Sequence, residues 1–168
     1  PKDGLFSAEL VGGTSDLNAG QAIDRTGVMM GLHFPCGPAL EELALAYLAE
    51  DGKIPHFRTS VKGTECNLSG LQNLASGLFS ESGDKGVTAA AVFDFIGRTL
   101  REMTVNVRKK LGELPVIYAG GVMSNSIIKD MLSAKKNTFF ADRAFSADNA
   151  VGTALLCRKK YLTVGGVI

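Results

Sequence analysis

Apolar positions recur along this chain with two periods, and the places where the period changes mark its elements. Over residues 88–111, Val92, Ile96, Leu100, Met103, Val107 and Leu111 return every three to four positions, and Gly112 follows. That spacing predicts one long helix with a buried face, stopped by the glycine. Leu40, Leu43, Ala44, Tyr47 and Leu48 predict a second helix over 39–50, with Pro38 suited to its first position and Gly52 to its stop. Leu71, Leu74, Ala75, Leu78 and Phe79 predict a third after Ser69-Gly70, with residues 80–86 as a polar loop. Phe57, Thr59 and Val61 alternate instead, and a Lys62-Gly63 turn leads to Cys66 and Leu68, the pattern of a β-hairpin. Strands are expected over 5–11, 116–119 and 138–141. A last helix carries Val151, Ala154, Leu155 and Tyr161. Strands alternating with helices predict an α/β fold, here as one lobe spanning 1–168.

Three loops in this pattern are placed to meet a ligand. The first is PVIYAGGVMSN, residues 115–125, where an apolar run ends in Gly120-Gly121 and Ser124 or Asn125 can cap a helix bearing Ile127, Ile128, Met131 and Leu132. It reads as a buried strand turning into a helix, the place where α/β sheets expose free N–H groups. A strand-to-helix turn with no ligand is the alternative. The second is the helix after Asp16, where Gly20, Asp24, Gly27 and Gly31 share one face. Each interior glycine costs a helix about 1 kcal/mol against alanine, so a stripe of them implies close approach, by a ligand or by another element. Asp24 on that face fits a hydroxyl, an amide or a cation, or a structural N–H. In the third, Phe34-Pro35-Cys36-Gly37-Pro38, Gly37 leaves a helix N-terminus bare, as a ligand site or as a rigid loop.

Composition narrows the classes without choosing among them. The chain has 168 residues, 45% hydrophobic and 21% charged, with a net charge of +1, which excludes a strongly basic nucleic-acid binder. Arg108, Lys109 and Lys110 are read first as complementing the dipole at a helix end. A phosphate-contacting patch is the alternative, and Lys135-Lys136 and Arg158-Lys159-Lys160 carry the same two readings. Cys36, Cys66 and Cys157 are odd in number and far apart, which predicts free thiols in a reducing compartment. No apolar run reaches the roughly 20 residues of a membrane span, and a cytoplasmic location is expected. His33 and His56 share no ligand spacing, and no Ser/His/Asp or Cys/His nucleophile set follows from the residues. Asp148, in a first helical turn, fits either dipole complementation or a metal in the cleft.

Taken in order, GGTSDLNAGQAIDRTGVMMGL, FPCGP, NLSGLQ, YAGGVMSN and ADNAVGTA resemble the carboxy-terminal part of the threonylcarbamoyl transferases that modify tRNA, formerly described as glycoproteases. The resemblance covers roughly residues 10–157. It implies the carboxy-terminal lobe of an actin-like ATPase fold, shared with sugar kinases and Hsp70. It implies transfer of a threonylcarbamoyl group from its adenylate to the adenosine beside the anticodon of tRNA, assisted by iron or zinc and accompanied by paralogous protein subunits. Asp24, Gly37 and Asn125 would bind the adenylate-type nucleotide, and Asp148 would be the one metal ligand from this chain. The sequence departs from the family at Gln21 (usually Glu), Cys36 (usually Gly), Leu68 (usually Phe) and Ala147 (usually Thr). The family's paired histidines and Gly-rich phosphate strand belong to its amino-terminal half and do not occur here, so this lobe alone is expected to be inactive. A non-catalytic, partner-binding paralogue and the lobe of another actin-like-fold kinase are the competing readings.

Overall fold

The computed structural model describes residues 7–146 and 150–163. Its axis is the long helix α4, Lys85–Leu111. The sequence pattern predicts one buried face, but every residue from Gly86 to Gly97 is buried. Small residues (Gly86, Ala89, Ala90, Ala91, Gly97) in that half let neighbours approach from all sides, which makes it a core helix rather than an amphipathic one. The helix also starts earlier than the predicted 88, because the Asp84 carboxylate accepts hydrogen bonds from the N–H groups of Gly86 (2.6 Å) and Val87 (3.3 Å). The expected loop over 80–86 shrinks to Gly83-Asp84, with Gly83 in the left-handed region at φ 64°.

Around this axis pack α2 (Gly37–Ala49), α3 (Ser69–Ser82) and α5 (Ser126–Ser133), while α1 (Ala19–Met29) lies against α2 and α3. Leu40, Leu71, Phe93, Ile96, Ile128 and Leu132 fill the shared core. Asp94 is the charged residue on α4's buried half. It accepts from Arg98 Nε (2.7 Å) and pairs with His56 Nδ1 (2.9 Å), tying the 53–60 segment to the axis. His56 is thereby structural, and His33 is exposed.

The strands are short. β2 (Val61–Lys62) and β3 (Glu65–Cys66) form the expected hairpin, with Gly63 at φ 62° in its turn. β1 is Gly13–Thr14 and pairs in parallel with β3. The strand expected over 5–11 is not found among the described residues 7–11, and Leu10 is 91% exposed. A second sheet holds β4 (Val116–Tyr118) and β5 (Thr138–Phe140) in parallel, Ile117 opposite Phe139. The sequence reading makes β4 a buried strand, and the structure corrects this. Tyr118 stacks on Phe140 on the inner face, with its hydroxyl bonded to Thr104 of α4, whereas Ile117 is 72% exposed on the outer one. A short α6 (Arg143–Ser146) and the terminal α7 (Ala150–Thr163) complete the described chain, and no residue of α7 is buried, Val151 and Leu155 included. The mixed α/β class is thus observed, with helix dominant. No helix of the described residues is long and apolar enough to cross a membrane.

One carboxylate joins the first segment to α3. Asp16 accepts from the N–H groups of Leu17 (2.6 Å), Leu68 (2.9 Å) and Ser69 (2.8 Å), capping α3 from a distant part of the chain. Desolvation pushes its pKa up, but hydrogen bonds from Ser69, Leu68 and Leu17 outweigh that and hold the carboxyl below the usual carboxylate range. The folded state therefore binds this proton more weakly than the unfolded chain does. The stability it confers is complete above the unfolded value of about 3.9 and is lost as the pH falls further. Asp16→Asn should lower the thermal midpoint at neutral pH and flatten its decline below about pH 4. Thermal melts of parent and variant from neutral to acidic pH would check this, and parallel curves would contradict it.

Candidate functional site

The glycine stripe on α1 resolves into different jobs along its length. At Gly27 a side chain is excluded by packing, since a Cβ would lie 2.2 Å from Cys36 Cβ and 2.6 Å from its sulfur. That contact brings the start of α2 against α1. Gly31 lies beyond the helix at φ 78°, where non-glycine residues are disfavoured. Gly20 lines the cavity described below, where a Cβ would stand in ordinary contact with Val122, 3.7 Å away. The close approach inferred from the stripe is thus helix packing at Gly27 and a cavity wall at Gly20.

Asp24, between Gly20 and Gly27, accepts a hydrogen bond through Oδ1 from the N–H of Cys36 (2.8 Å). This fixes the loop just before α2. Cys36 is fully buried, and burial, with the Asp24 carboxylate adding to it, pushes its thiol pKa up, so the thiol stays protonated. α2 begins at Gly37-Pro38 with no side-chain cap, leaving the Gly37 N–H without a helical partner. A Cβ at Gly37 would meet nothing within 4 Å. One turn on, Glu41 Oε1 accepts from the N–H (2.7 Å) and hydroxyl (2.6 Å) of Ser126, joining α2 to the start of α5.

Opposite stands the turn after β4. Gly120, at φ 109°, is clasped by Ser146, whose hydroxyl accepts from its N–H and donates to its carbonyl, both at 2.9 Å. A 3-10 turn, Gly121–Ser124, follows, and Asn125 rather than Ser124 caps α5 by accepting from the Ile128 N–H (3.0 Å). Asn125 is buried, yet its amide nitrogen makes no hydrogen bond to the described residues.

These pieces enclose a cavity of about 400 Å³ whose lining includes Gly20, Asp24, Gly37, Glu41, Asn125 and Arg143, with Phe93 of α4 also in the wall. Asp24, Gly37 and Asn125, the three positions predicted to bind nucleotide, all line this one cavity. The fourth, Asp148, lies outside the described residues. Among the described residues no group of three His, Cys, Asp or Glu side chains could hold a metal ion. Sequence reasoning missed Glu41 and Arg143. Glu41 sits at i+4 from Gly37, a spacing that places it on the same helix face and was available in the sequence. Arg143 reaches the cavity only through the tertiary placement of α6, and nothing local announces it.

A family model described as tRNA N6-adenosine threonylcarbamoyltransferase (TsaD) matches residues 3–155. The chain belongs to that family. Two of its departures from the family pattern now have physical accounts. Gln21 accepts from the Asn18 N–H (3.3 Å), the capping-box contact that Glu makes at the same position. Cys36 is housed because Gly27 has no side chain. Gly27→Ala should therefore destabilise the protein by about 1–3 kcal/mol through overpacking, and Cys36→Gly in the same chain should recover most of that loss. Thermal or denaturant unfolding of the two single variants and the double one measures the coupling; additive effects would contradict this account.

Proposed function

We propose that this chain is the carboxy-terminal lobe, of actin-like ATPase type, of a threonylcarbamoyl transferase, and that the cavity receives the adenylate portion of threonylcarbamoyl-adenylate. The observation that carries the reading is that Asp24, Gly37 and Asn125, chosen from three separate motifs, line one cavity of a size to hold a nucleoside. The remaining acceptor oxygens of Asp24 and Glu41 suit a ribose diol, which offers two donors to two carboxylates. The bare Gly37 N–H offers a donor at a helix N-terminus. The Asn125 amide nitrogen suits an acceptor on the base, and Ile23, Pro38 and Val122 give the base apolar contact. Arg143, the cation of this lining, suits the adenylate phosphate. By holding the leaving adenylate in a fixed pose, these residues contribute positioning to the transfer. The acceptor is the exocyclic amine of the adenosine beside the anticodon.

The rest of the reading rests on the family alone. Iron or zinc with Asp148 as the ligand from this chain, paralogous protein subunits, a cytoplasmic setting and inactivity of the lobe by itself are proposed on that ground. The described residues do not make up a metal site.

Two substitutions separate binding from folding. Asn125→Asp keeps the oxygen that caps α5 but removes the amide donor and adds a charge, so the fold should persist while affinity for an adenosine nucleotide falls about tenfold or more, the loss of one hydrogen bond plus a repulsion. Gly37→Ala fills cavity space without touching protein and should weaken binding with an unchanged thermal midpoint. Calorimetric titration with AMP beside melts of each variant is the test, and unchanged affinity in both would remove the nucleotide from this cavity.

A further inference from the structure

The far half of α4 borders a second cleft that the nucleotide reading leaves unused. It encloses about 490 Å³ between α4 and the end of α5, and shares no lining residue with the nucleotide cavity. Arg101, Arg108, Lys109, Lys135 and Lys136 line it against the single carboxylate of Glu113. In a chain of net charge +1 this is a pronounced local excess. Arg108 has a structural task, donating to the carbonyls of Lys136 (2.8 Å) and Asn137 (3.1 Å) and lying 3.8 Å from Glu113. The other four cations are exposed, and none makes an ion pair with the described residues.

Helix dipoles account for part of this cluster only. Their influence is confined to about the last turn, and Arg101 stands nearly three turns before Leu111. Arg101 and Lys109 lie on one face of α4, about 12 Å apart along its axis at 1.5 Å per residue. Lys135 and Lys136 oppose them from the end of α5. A single phosphate needs no such length, whereas a nucleic-acid strand presents a charge about every 3.4 Å. The lining has no aromatic side chain, and Val105 is its one sizeable apolar residue, whereas backbone contacts need only charge and donors.

We propose that this cleft docks the phosphate backbone of the RNA that carries the acceptor adenosine. The choice of RNA rests on the family reading; the site itself does not depend on the nucleotide cavity. The probe is a fluorescently labelled, unmodified tRNA transcript, titrated by anisotropy across a salt series with the whole chain, with circular dichroism checking each fold. The triple variant Lys109→Glu, Lys135→Glu, Lys136→Glu should bind at least about tenfold more weakly and show a salt slope lower by about 2–3. Should the triple reversal fail to fold, the three Lys→Gln changes should give the same direction with a smaller loss. Lys53→Glu, an exposed charge reversal elsewhere, should leave binding unchanged. Absent binding by the parent, parental affinity in the folded triple variant, or an equal loss with Lys53→Glu would overturn the proposal. Competition by polyglutamate equal to that by RNA would overturn it too. A failure of AMP to bind the cavity would leave the result standing.

Discussion

The contact on which the site depends is the meeting of α1 with the start of α2. Gly27 lets Cys36 seat against the α1 backbone, and Asp24 then takes the Cys36 N–H at 2.8 Å. Together they set where Gly37 presents its free N–H and where Glu41 emerges one turn later. Glu41 in turn holds the start of α5 through Ser126, and Asn125 completes that junction by capping the same helix. The residues facing the cavity are therefore also the ones that hold its walls together. A carboxylate that spends one oxygen on the scaffold has restricted rotamers and presents its other oxygen in a fixed direction, which is how a binding site is preorganised.

This double use explains why substitutions at Asp24 and Glu41 are poor reporters of ligand contact. Removing either carboxylate also strips a partner from partly buried N–H groups, which destabilises by about 1–3 kcal/mol per unsatisfied donor. Asn125 and Gly37 separate the roles better, because one keeps its capping oxygen as Asp and the other has open space beside it.

Much of the helical frame was legible in the sequence because packing imposes a period. α2, α3, α4 and α5 fall where the apolar spacing puts them, and Lys62-Gly63 turns the hairpin as its alternation implies. The failures have a common cause, that apolar character does not say what covers it. Leu10 is exposed where a strand over 5–11 was expected, β4 packs a half-buried Tyr118 inward but leaves Ile117 exposed, and α7 has no buried face. The stripe of Gly20, Gly27 and Gly31 announced close approach, which the structure shows at Gly27 only; Gly20 borders the cavity, and Gly31 lies past the helix end in the left-handed region. Asp24, Gly37 and Asn125, taken from separate motifs, line one cavity, and Glu41 was within reach through its spacing, whereas Asp148 lies outside the described residues. Arg143 was not legible, because α6 is carried to the cavity by the clasp of Ser146 on Gly120, a contact no local pattern encodes.

The central claim is that Asp24, Gly37 and Asn125 act on one nucleotide in one place. Backbone amide shifts of the ¹⁵N-labelled chain, followed as AMP is added, test it most directly. The account predicts saturable shifts at Gly20, Gly37, Gly121 and Asn125 with a common dissociation constant, and none in the cleft of Arg101 and Lys109. No saturable shift at those four amides, or shifts confined to another part of the chain, would contradict it.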